Sequence, residues 1–297
     1  MVRFLLSSGL FFCFWGILWV TGVNGAEALP VFVSIAPQKY FVEKIGHKFV
    51  EVSIMVKPGA NPGTYEPRPH QMVALSKSSI YFAIGVPFEK AWIKKIVATN
   101  PKMIVVHTED GIEKIPMKSH HHADDRAIDK GHHQGFKDPH VWLSPPLVML
   151  QARNILKALV TVDPVHRFFY ENNYKDFIME IVELDAEIRE IFADKGQDVE
   201  FMVFHPAWGY FARDYGLKQV PVEVEGKEPK PAELKHLIKH AIEQGIKVVF
   251  IQTQFSAKSA QTIANAIGGE VIFVDSLGPD WANNLRNVAE KFKAGLK

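Results

Sequence analysis

Short runs of β-branched and aromatic residues alternate with stretches of helical periodicity along most of this chain, and that alternation narrows its fold more than any other feature. Residues 31–35, 50–56, 80–84 and 103–106 have the length and composition of strands. Between them, 38–46, 69–76 and 88–99 read as helices, the second opening on Pro69, where a first turn tolerates proline. The rhythm returns with strands at 201–204, 219–224, 247–251 and 270–274 and helices at 206–215, 230–244, 257–267 and 281–293. Strand and helix in alternation imply a parallel sheet covered on both faces. The expected fold class is therefore α/β in two lobes, each a mostly parallel sheet flanked by helices, over residues 30–143 and 196–297.

A different kind of segment joins them. Residues 164–193 contain no glycine and no internal proline, and Phe177, Ile181, Leu184, Ile188, Ile191 and Phe192 fall three or four apart. Asp163-Pro164 supplies a capping residue followed by proline at the first helical position. The spacing predicts one linking helix roughly 45 Å long, stiff enough to resist hinge opening; the competing reading breaks it near Asn172-Asn173.

The first 25 residues stand apart: Arg3, then an uncharged apolar run over 4–20, then small and polar residues. This reads as an export signal cleaved near Gly25 or Ala26, with an uncleaved anchor as the alternative. Cys13, the only cysteine, lies inside that run, so neither a disulfide nor a lipid-anchored cysteine is indicated. Removing residues 1–25 leaves bases and acids equal in number, and the whole chain carries a net charge of +1, which gives no electrostatic footprint for nucleic acid.

Thirteen histidines are many for 297 residues. His120, His121, His122, His132 and His133 crowd into the polar stretch 118–137 beside Asp124, Asp125 and Asp129, a loop suited to auxiliary capture of transition metals, which neutral imidazole prefers over calcium or magnesium. His140 and His205 have a more rigid setting, in DPHVW (138–142) and FHPAW (204–208), each at a strand end on a lobe edge where parallel sheets form their binding crevices. That pairing, one in each lobe, points to ligands. His47, His107, His166, His236 and His240 lack this setting and read as surface or helix residues.

These features together resemble the solute-binding proteins of zinc and manganese ABC transporters. The marks are KPGANPGTYEP (57–67), the acidic and His-rich insertion, DPHVWL (138–143), the joining helix, FHPAW (204–208) and IFVDSL (272–277), and the resemblance covers nearly the whole chain after its first 25 residues. It implies a metal held between the lobes by four side chains, with His140 and His205 as the second and third ligands and Asp275 as the acidic fourth. Histidine rather than glutamate at 205 points to zinc, with manganese as the alternative. The donor chemistry agrees, since an imidazole-rich set with one carboxylate suits tetrahedral zinc.

The chain departs from that pattern where the first ligand belongs: the position holds Gly63, which has no side chain to coordinate anything. His70, at the start of the next helix, is the candidate substitute, beside the readings of a water in the open position, a role for Glu66, or a three-ligand site. Gln252, where many relatives have an acid, and Asp138, two residues before His140, are candidates for orienting the ligands by hydrogen bonding.

The implied function is an exported receptor, without chemistry of its own and acting as a monomer, that captures zinc and delivers it to a membrane permease. The competing classes are a secreted zinc hydrolase and an adhesin of the same fold. No H-E-x-x-H, G-x-S-x-G or G-x-x-x-x-G-K motif supports catalysis, and no glutamate stands beside His140 or His205 as a general base.

Overall fold

The computed structural model describes residues 27–117, 137–223 and 226–296. The expected export signal, the His-rich residues 120–122 and His132 and His133 lie outside them.

The first lobe runs β1 (Leu29–Val33), α1 (Ala36–Gly46), β2 (Val50–Ile54), α2 (Pro69–Leu75), β3 (Ile80–Ala83), α3 (Pro87–Thr99) and β4 (Ile104–His107). The second runs β5 (Val199–Val203), α6 (Gly209–Asp214), β6 (Leu217–Pro221), α7 (Pro231–Glu243), β7 (Val248–Gln252), α8 (Lys258–Ala266), β8 (Glu270–Val274) and α9 (Trp281–Gly295). Both sheets are wholly parallel and repeat one topology, β2-β1-β3-β4 and β6-β5-β7-β8. In each, the chain leaves the central strand to one side and returns to the other, which opens a crevice at the carboxyl ends of the strands.

Between the lobes lie two helices. α4 (Pro145–Val162) fills a stretch that the sequence reading leaves unassigned. It starts where the Ser144 hydroxyl accepts the Leu147 N–H, with Pro145 at its first position. A tight 3-10 turn over Pro164–His166 then leads into α5 (Arg167–Ile191), continuous through Asn172 and Asn173. At 25 residues, α5 is about 37 Å long. At that first turn the Asp163 carboxylate accepts from the Tyr170 hydroxyl and pairs with His166 Nδ1, both at 2.6 Å.

The buried stripe of α5, with Phe177, Ile181, Leu184 and Ile188, belongs to a core that runs from the first lobe into the second. Phe41 of α1 packs on Phe177 at 5.9 Å and edge-on against Trp281 of α9 at 5.1 Å. Strand alternation divides the second lobe. Phe201, Val203, Val248 and Phe250 join this shared core, while Met202, Val249 and Ile251 face a separate layer under α7 and α8.

Two tryptophans lock the lobes at the cleft. Trp142 Nε1 donates to the Ser276 carbonyl and Trp281 Nε1 to the Trp142 carbonyl, each at 2.7 Å, and both rings are 1% exposed. Buried and reciprocal, these bonds oppose separation of the lobes.

Candidate metal site in the interlobe cleft

His205 is placed by strand register. In the second sheet Val203 pairs with Pro221 of β6 and Phe250 of β7, so two residues further on His205 stands between Glu223 and Gln252. Both contacts form. His205 Nδ1 lies 2.5 Å from Glu223 Oε2, and Gln252 Nε2 donates to the His205 carbonyl at 3.0 Å while its oxygen accepts the His205 N–H at 3.4 Å. The ring stacks on Phe255 at 4.8 Å.

His140 reaches the same place from the first lobe. Asp138 is hydrogen-bonded back to the strand-end segment through its N–H to the Ile115 carbonyl, and its Oδ1 accepts both the His140 N–H (2.9 Å) and, at 2.7 Å, His140 Nδ1. The second lobe buttresses this turn, because the Tyr210 hydroxyl donates to the Asp138 carbonyl and accepts the Ile115 N–H. Gly209 makes that approach fit: a Cβ there would lie 2.9 Å from Asp138 Oδ2. Burial pushes the His140 imidazolium pKa below the usual histidine value, against the opposing pull of Asp138, so the ring stays neutral at neutral pH.

The two rings face one another across the cleft, 5.2 Å between centroids and inclined at 72°. Two imidazoles holding one tetrahedral ion through nitrogens at about 2.0 Å put their ring centres roughly 5 Å apart, so this spacing suits a shared zinc ion. The cleft has a volume of about 80 Å³ and is lined also by Gly63, Val86, Trp142, Phe255, Ser276 and Leu277. That holds an ion and a few waters, well below a pocket for an organic ligand.

The remaining sequence candidates divide. Asp138 and Gln252, both 1% exposed, contact His140 and His205 respectively. Asp275 is half-buried directly before the cleft-lining Ser276 and Leu277; its Oδ1 accepts the Leu277 N–H at 2.8 Å. Glu66 and His70 are exposed and do not line the cleft, His70 being on the first turn of α2. Gly63 does line it. Among the described residues no three His, Cys, Asp or Glu side chains already converge as a preformed metal cage. Glu223 was missed by the sequence reading. Its signal is the strand-end register that sets residue 223 beside 205, which is invisible until the β5–β6 pairing is known.

Fold and cleft define the class: a two-lobed α/β binding protein with its site at facing strand ends. The chain belongs to the ZnuA family, the periplasmic component A of zinc-uptake complexes, whose family model matches residues 31–295. A crystal structure of ZnuA superposes with a TM-score of 0.82 at 43% identity, covering 90% of this chain and 99% of that one. The high-affinity zinc uptake system protein ZnuA of Bacillus subtilis is 29% identical over 255 residues, 84% of this chain and 79% of its own length. The iron-binding protein YfeA of Yersinia pestis is 30% identical over 233 residues, 76% and 71% respectively. Among the described residues no helix is long and apolar enough to cross a membrane.

Proposed function

We propose that this chain is an exported receptor that takes up zinc in the interlobe cleft and hands it to the permease of an ABC transporter, without catalysing a reaction. One observation carries the reading: two imidazoles, one from each lobe and each backed by a buried carboxylate, face each other at the spacing of a shared tetrahedral ion. His140 and His205 are the nitrogen donors and Asp275 the carboxylate that joins them. Because the relatives differ in the metal their names carry, the choice of zinc over manganese or iron rests on the donors: imidazoles favour zinc, whereas a harder ion takes more oxygen ligands.

Residues 1–25 act as the export signal, and the His-rich stretch 118–137 gathers metal rather than holding it in the cleft. Elemental analysis of the chain purified without added metal tests the central claim. About one zinc per chain, lost in His205→Ala, is the expected outcome; a chain that retains manganese or iron instead, or no metal at all, refutes it.

A further inference from the structure

A neutral imidazole carries one N–H and one lone pair, and the partner of the first nitrogen decides which nitrogen can bind a metal. His205 Nδ1 meets Glu223 Oε2 at 2.5 Å. An ionised carboxylate only accepts hydrogen bonds, so the proton sits on Nδ1 and the lone pair on Nε2. We propose that Glu223 is the positioning residue of the metal site, fixing both the tautomer and the orientation of His205 so that Nε2 is the nitrogen offered to the ion. The proposal rests on the receptor reading above and adds the group that makes the second-lobe imidazole a competent donor.

Three features support it. Glu223 is 5% exposed and does not line the cleft, so it acts through the ring rather than on the ion. Its own backbone is held, the Glu223 N–H donating to the Phe204 carbonyl at 2.9 Å in continuation of the sheet, so the carboxylate is supplied from a rigid edge. The same device appears independently in the first lobe, where Asp138 holds His140 Nδ1 at 2.7 Å although it comes from a local turn rather than from a neighbouring strand. Two unrelated pieces of chain supply the same partner to the two facing rings, as expected where ring orientation and donor strength matter to a bound metal.

The test compares Glu223→Leu, which keeps bulk but has no acceptor, with Glu223→Gln, which keeps an accepting oxygen but not the charge. Zinc affinity is measured by competition with a chromophoric chelator. The His205 tautomer is read from nitrogen-15 spectra of the metal-free chain, assigned by difference from His205→Gln. The expected result is an Nδ1-protonated ring in the wild type, loss of that preference in Glu223→Leu, and zinc affinity lower by about 10- to 100-fold. Glu223→Gln falls between the two and decides the matter if the leucine variant folds poorly. An Nε2-protonated ring in the wild type, or zinc affinity within twofold of wild type in both variants, overturns the proposal and leaves the receptor reading standing. A wild-type chain that binds no zinc, with a tautomer that still depends on Glu223, overturns the receptor reading instead and leaves the positioning of the ring intact.

Discussion

Gly63→His introduces an imidazole at a position that lines the cleft shared by His140 and His205. Backbone strain does not oppose it, since Gly63 is outside the positive-φ glycines, and the nearest atom to the new Cβ would be Asn61 Oδ1, at 3.0 Å. That oxygen accepts the Gly63 N–H at 2.7 Å, and moving it costs about 1 kcal/mol. Ordering the new side chain costs about 1 kcal/mol more. Against this, four-ligand zinc sites in small domains release roughly 10–16 kcal/mol, or about 2.5–4 kcal/mol per ligand. The balance is a gain of about 0.5–2 kcal/mol, which is roughly a 2- to 30-fold rise in zinc affinity at pH 7.5. Chelator competition on the folded variant measures it. Unchanged or weaker binding would refute the argument that the ion sits between the loop at 61–63 and the two facing rings.

Other expectations concern the ligands, the pH response and the lobe contact. His140→Ala should lower zinc affinity about 100-fold or more, whereas His70→Ala, whose ring is exposed outside the cleft lining, should stay within twofold; an equal loss in both would bring His70 into the coordination. Zinc must displace protons from its imidazoles, and burial holds the His140 pKa below the usual value, so its proton competes only once the pH falls beneath about 6.5. Calorimetric affinities should thus be lower at pH 5 than at pH 7.5, and equal values would exclude His140 as a ligand. The same depressed pKa has a stability consequence: the unfolded chain takes up that proton first, so metal-free stability should fall as the pH drops below about 6.5. Trp142→Phe leaves the Ser276 carbonyl without its buried donor and should cost about 1–3 kcal/mol in urea unfolding; no loss would show that the lobes are held together elsewhere.

Much of this architecture is legible in one dimension. Strands such as β3 and helices such as 88–99 announce themselves because burial on one or both faces imposes its pattern on the residues themselves. α4 goes unassigned in the sequence reading although Val148, Ala152, Ile155 and Leu159 fall three or four apart on its buried face. His140 and His205 stand out in the sequence by their rigid Pro and Trp neighbours, and Asp275 by its place in a stretch that resembles a family motif.

What sequence alone determined, then, was the list of elements and the donors able to bind a soft divalent ion, because those follow from local periodicity and side-chain chemistry. Which donors meet was settled by the folding of the two lobes onto one another. The rings of residues 140 and 205 meet edge-on, Glu223 comes to lie against His205, and Gly63 enters the cleft while His70 stays in solvent. These relations depend on parallel strand register and on the contact between lobes, which join residues far apart along the chain and leave no period in the sequence between them.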